Sequence, residues 1–132
     1  MRITVDTNIL VRAVVRDDEK QAQAAAALLR TAEIIAVSLP CLCEFVWVLR
    51  RVYGLGQADI SAAIEALLEA GNVAVNRPAV DAGLAILSAG GDFADGLIAY
   101  EGSRLGGETF ISFDKTAVSL IAKQGQQTRL LA

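Results

Sequence analysis

Short apolar runs of three to five residues alternate with longer segments in which apolar residues recur every three or four positions, and this alternation divides the chain into strands and helices. Residues 2–5, 34–37, 72–75, 109–113 and 128–131 read as strands. Between them the spacing predicts helices over 9–15, 17–32, 40–52, 57–70, from Asn76 and Pro78 through Val80, Leu84 and Leu87, and over 93–105 and 115–123. Punctuation agrees with these limits: Ser38 and Pro40 suit a helix start, while Gly54, Gly71, Gly90-Gly91 and Gly106-Gly107 suit stops and turns. Strands alternating with helices predict an α/β fold, a three-layer α/β/α sandwich around a central, mostly parallel sheet. The third and fourth helices would form a clip over one end of it. No repeat, low-complexity tract or linker interrupts the chain, so residues 1–132 are expected to form a single domain.

Composition narrows the chemistry. Hydrophobic residues make up 54% of the 132, yet no stretch free of charge exceeds ten residues (34–43 and 82–91), well short of the roughly 20 needed to span a bilayer. Asp6 interrupts the first apolar run before a secretory signal could form, so a cytoplasmic protein without a membrane partner is expected. Cys41 and Cys43 lack the further Cys or His that zinc prefers, and both read as small buried hydrophobes. The chain contains no histidine, which removes Ser-His-Asp and Cys-His triads and the imidazole acid–base pair of a metal-free ribonuclease. Hydrolysis would have to rest on carboxylates and a metal. A net charge of −3 does not oppose nucleic-acid binding, because setting aside four acids as metal ligands leaves +1.

Five acids are candidates for that role. Asp6 follows the strand Ile3-Thr4-Val5 directly, with Thr7 and Asn8 beside it and a helix beyond, the place where open α/β sheets put their chemistry. Asp114 repeats the arrangement after Thr109-Phe110-Ile111-Ser112-Phe113. Glu44 is the only charge between Glu33 and Arg50. A helix apolar nearly all round is a buried one, so its carboxylate needs a partner, either Arg50 or Arg51 or a metal. Asp92 and Asp95 stand at the first positions of the helix that presents Leu97, Ile98 and Tyr100 to the core. Helix capping is an adequate alternative for Asp6, Asp92, Asp95 and Asp114, and is compatible with metal binding. Asp17, Asp18 and Glu19 read as capping and solvated acids, and Trp47 and Tyr53 as core aromatics.

Oxygen ligands without imidazole or thiolate suit Mg²⁺ or Mn²⁺, and Mg²⁺ commonly shares its shell with substrate phosphate oxygens. A phosphate ester is the implied substrate. The residues alone also allow a receiver-like phosphotransfer domain in which a strand-end acid is the nucleophile. That design needs a buried lysine near the site, and the lysines are Lys20, Lys115 and Lys123.

The segments Val5-Asp6-Thr7-Asn8-Ile9-Leu10, Glu44 in its apolar helix, Asp92-Phe93-Ala94-Asp95-Gly96-Leu97-Ile98-Ala99 and Phe110-Ile111-Ser112-Phe113-Asp114-Lys115 together resemble the PIN-domain nucleases, and among them the VapC-like toxins of bacterial toxin-antitoxin pairs. The resemblance implies a Mg²⁺- or Mn²⁺-dependent endoribonuclease leaving a 5′-phosphate and a 3′-hydroxyl. Asp6, Glu44, Asp95 and Asp114 match the family's catalytic and metal-binding quartet. Thr7, Asn8 and Ser112 match the small polar residues that orient the acids, and Asp92 is an additional acid, a supporting or capping candidate. Gly96 departs from the family pattern, in which a small side chain is commoner, and would loosen the helix locally. Also implied are a homodimer, an RNA substrate and a cognate VapB-like antitoxin whose tail covers the acidic groove, with an Arg reaching the carboxylates. Arg12, Arg16, Arg50, Arg51, Arg104 and Lys115 are the candidate RNA phosphate contacts. A PIN-like partner- or DNA-binding module with little nuclease activity is the other reading.

Overall fold

The computed structural model describes residues 1–132. In chain order it comprises β1 (Arg2–Thr4), α1 (Thr7–Val14), α2 (Glu19–Thr31), β2 (Ile34–Ala36), α3 (Leu39–Arg51), α4 (Gln57–Glu69), β3 (Val73–Ala74), α5 (Arg77–Ser88), α6 (Phe93–Arg104), β4 (Thr109–Ser112), α7 (Lys115–Lys123) and β5 (Gln127–Leu130). Every strand pairing is parallel, in a three-stranded sheet of order β1-β2-β3 and a two-stranded sheet β4-β5. The mixed α/β class with parallel strands expected from the alternation is therefore present. The chain divides into two compact units, Met1–Asn76 and Arg77–Ala132.

In the N-terminal unit β2 is the middle strand, with Ile3 opposite Ile35 and Ile35 opposite Val73. Ile35 is fully buried there. Helix α3 begins at a Ser38 cap whose Oγ accepts from the Cys41 N–H, with Pro40 in the first turn, where its missing N–H costs nothing. Its buried stripe is Cys41, Leu42, Phe45, Val46 and Leu49. The opposite stripe, Glu44, Trp47 and Arg51, faces solvent. This corrects the expectation that a helix so apolar is buried all round: Glu44 is exposed, and Trp47 is 59% exposed rather than packed in the core. Neither Arg50 nor Arg51 pairs with Glu44. Cys43 is half-buried where full burial was expected. Asn72, at the approach to β3, donates to the Leu29 and Ala32 carbonyls at 2.8 and 3.0 Å, satisfying acceptors that the end of α2 leaves open.

In the C-terminal unit α7 covers one face of β4-β5, where Phe110 and Leu120 pack against Ile86, Ala99 and Ile121. Helices α5 and α6 meet at two glycines. A Cβ on Gly96 would stand 2.7 Å from the Gly83 Cα and run into the Ala82 carbonyl. A Cβ on Gly83 would stand 2.7 Å from the Phe93 ring. Gly96 thus permits the close approach that buries Phe93 and Leu97, and the local loosening expected of it is replaced by tight packing. Ile98, expected in the core, is 58% exposed because Gly96, Leu97 and Ala99 take the inward positions. Gly96→Ala is predicted to lower the unfolding free energy by about 1–3 kcal/mol through overpacking, read as a lower urea midpoint. An unchanged midpoint would show that the two helices are free to separate without loss.

Candidate functional site

Asp6 leaves β1 at its carboxyl end and caps α1, its Oδ1 accepting the Thr7 N–H at 2.7 Å. The other carboxylate oxygen takes no hydrogen bond and the residue is exposed. Thr7 turns inward, 5% exposed, and its hydroxyl donates to Cys41 Sγ at 3.8 Å. That bond ties the start of α1 to the first turn of α3. Burial pushes the Cys41 thiol up, the Thr7 bond partly offsets this, and the charges of Asp6 and Glu44 push it further. Both acids therefore lie close enough to act on one thiol, which burial first and their field second keep in its unreactive protonated form. Glu44, a turn beyond Cys41, makes no ion pair.

A second group forms within the C-terminal unit. Asp92 caps α6 and accepts the Ala94 N–H at 3.1 Å. Asp114 caps α7, its Oδ1 accepting the Thr116 and Ala117 N–H groups at 2.9 and 3.1 Å, while Ser112 Oγ accepts the Asp114 N–H at 3.0 Å. Asp95 is half-buried in the first turn of α6, and its carboxylate takes part in no hydrogen bond or ion pair. Its pKa is raised, first by burial and then by the negative charges of Asp92 and Asp114. Three acids of the C-terminal unit thus share one electrostatic neighbourhood. Capping accounts for Asp92 and Asp114, but not for the Asp95 carboxylate.

The supporting residues differ in what they do. Thr7 steadies Asp6 through its backbone N–H while its hydroxyl is engaged with Cys41. Ser112 holds the Asp114 backbone. The Asn8 side chain is exposed. Of the candidate phosphate contacts, Arg12 binds Asp17 at 2.9 Å, Gln21 at 2.7 Å and the Tyr53 hydroxyl at 3.1 Å, and Arg16 binds Glu19 at 2.7 Å. These exposed pairs add little stability, but they occupy both guanidinium groups. The Tyr53 hydroxyl itself donates to Asp17 at 3.0 Å, so Asp17 belongs to this surface network, and Asp18 is the residue that caps α2. Arg50, Arg51, Arg104 and Lys115 are exposed and outside any ion pair. Lys20, Lys115 and Lys123 are all exposed, which removes the buried lysine that receiver-like phosphotransfer requires.

The donors are all carboxylate oxygens, and a divalent cation beside Asp95 would relieve the repulsion there, so the chemistry fits Mg²⁺ or Mn²⁺. No three His, Cys, Asp or Glu side chains are grouped so as to hold a metal ion on their own. Such a cage is not what Mg²⁺ needs, since one or two carboxylates with waters and substrate phosphate usually hold it.

With the Asp95 pKa raised by folding, its contribution to stability is complete below the ordinary carboxylate value and is lost as pH rises through the raised one. Asp95→Asn is neutral at every pH. In chelator-treated protein it is predicted to raise the melting temperature at pH 7 by roughly a few degrees, the advantage vanishing below about pH 4. A variant less stable than wild type at pH 7 would show that Asp95 is satisfied by the fold.

A search of curated proteins finds no match to this chain. The family model described as "PIN domain" matches residues 3–122, a span that includes every acid above. PIN domains are in general nucleases, acting on nucleic acids and typically using divalent metals. On that match over nearly its whole length, the chain belongs to the PIN-domain family.

Proposed function

We propose that this protein is a metal-dependent endoribonuclease of the VapC-like toxin type, with residues 1–132 acting as one PIN domain. The observation that carries the proposal is Asp95, a half-buried carboxylate left without hydrogen bond or ion pair and set among the charges of Asp92 and Asp114. A fold gains nothing in stability from that arrangement, and perturbed acids of this kind concentrate at functional sites. Asp6, Glu44, Asp95 and Asp114 would hold Mg²⁺ or Mn²⁺. Once bound, the cation would supply an activated water and neutralise phosphate charge.

The chain's own groups set up the rest. Caps fix one oxygen of Asp6 and one of Asp114 on helix N–H groups, leaving the other oxygen of each available to a ligand. Ser112 sets the backbone from which Asp114 projects, and Asp92, itself engaged with α6, keeps negative potential at Asp95. Arg50, Arg51, Arg104 and Lys115 would meet RNA phosphates, with Arg12 and Arg16 contributing only if RNA displaces their acid partners. A homodimer, and a VapB-like antitoxin that masks the acids until it is removed, belong to the same proposal. No helix is long and apolar enough to cross a membrane, and a cytoplasmic setting is part of the reading. The alternative reading is a PIN domain that binds partners or DNA with little turnover.

Antitoxin-free protein with Mn²⁺ or Mg²⁺ is predicted to cut a mixed pool of single-stranded and structured RNA to fragments ending in 5′-phosphate. Asp6→Asn and Asp95→Asn should each reduce the rate by at least about a hundredfold, and chelation should abolish cleavage until Mn²⁺ is restored. Wild type and variants equally inert, or equally active, would refute the nuclease assignment and leave the binding module.

A further inference from the structure

The chain has seven aromatic residues, and five of them are buried or half-buried. The two exposed ones each stand beside a candidate acid. Trp47, 59% exposed, lies three residues after Glu44 on the outward stripe of α3, with Arg51 a turn further on. Phe113, 75% exposed, immediately precedes Asp114.

Strand alternation explains why Phe113 is outside. Phe110 points to the packed face of β4, which places Thr109, Ile111 and Phe113 on the other face. Parallel sheets are normally covered on both faces, whereas here Ile111 is 53% exposed and Leu131, whose N–H donates to the Ser112 carbonyl, is also exposed. Arg129 stands in register opposite Ile111, and Lys115 follows Asp114. Both are exposed and in no ion pair, as is Arg51 beside Trp47.

Single exposed apolar residues are ordinary. Here the only two exposed aromatic rings each stand within a few residues of a candidate acid and of an uncommitted cation, Glu44 and Arg51 for Trp47, Asp114 and Lys115 for Phe113. That composition complements an anionic strand with unstacked bases, which binds by aromatic stacking and backbone cations together. We infer that Trp47 and Phe113 are base-stacking platforms, each holding an unpaired RNA base next to its candidate acid, with Arg51, Lys115 and Arg129 on the flanking phosphates. The inference rests on the nuclease reading for its choice of RNA.

Trp47 is the only tryptophan, so its fluorescence reports stacking directly. With Ca²⁺ replacing Mg²⁺ to hold back cleavage, a short oligoadenylate should quench it, and an abasic strand of equal length should not. Trp47→Ala and Phe113→Ala should each weaken binding, read by anisotropy of a labelled oligoadenylate, by about tenfold. Phe113→Trp should stay within about threefold of wild type, and Phe113→Leu should be as weak as Phe113→Ala. Melting temperatures should not move, because both rings are exposed.

Equal affinity for the abasic strand, or full binding by Phe113→Leu, would overturn the inference. So would alanine variants that change the light-scattering mass but not the RNA affinity, which would assign these rings to a protein interface. If wild type cleaves RNA while both alanine variants bind normally, the platforms fail and the nuclease stands. If stacking is seen but no cleavage ever occurs, the platforms stand and the nuclease fails.

Discussion

Asp92, Asp95 and Asp114 bring like charge into one neighbourhood of the C-terminal unit, and no ion pair there neutralises it. Two of the three are engaged in capping helices. Asp95 takes the consequence: partly desolvated and repelled by both neighbours, it is the least satisfied acid in the group. Proteins depart from local optimality mainly where function requires it. Folding alone would be better served by an amide at this position.

The acids of the N-terminal unit are placed by a different device. The buried Thr7 hydroxyl reaches the Cys41 sulfur, which fastens the turn that carries Asp6 to the helix that carries Glu44. The cysteine thereby acquires a structural task, and its suppressed ionisation makes it a poor nucleophile in an acidic setting. In both units the recurring motif is a parallel strand, an acid at its end and a helix whose first N–H groups that acid satisfies. One side chain thus ends the strand, starts the helix and keeps an oxygen in reserve.

Much of this was legible in the sequence, because caps and breakers are local signals. Asp18, Ser38, Asp92 and Asp114 fall where their side-chain chemistry predicts helix starts, and the strand-end positions of Asp6 and Asp114 follow from apolar runs alone. Orientation around a uniformly apolar helix was not legible. Residues 39–49 carry one charge, so periodicity could not separate the stripe of Glu44 and Trp47 from that of Phe45 and Leu49. Ile98 misled for a related reason, since the small residues Gly96 and Ala99 took the contact positions that volume alone would have assigned to it. The Gly83–Gly96 approach did leave a trace: a glycine in the middle of each of two helices, costly there unless it serves close packing. The engagement of Arg12 and Arg16 by nearby acids depends on three-dimensional neighbours such as Tyr53 and had no sequence signal.

If Asp6 and Asp95 are metal ligands, Mn²⁺ binding should depend on each of them. Electron paramagnetic resonance of free Mn²⁺ during titration gives the bound fraction directly, without RNA or turnover. Wild type should bind Mn²⁺, and Asp6→Asn and Asp95→Asn should each weaken that binding by roughly tenfold or more. Binding that survives both substitutions unchanged would contradict the assignment of these carboxylates to a metal.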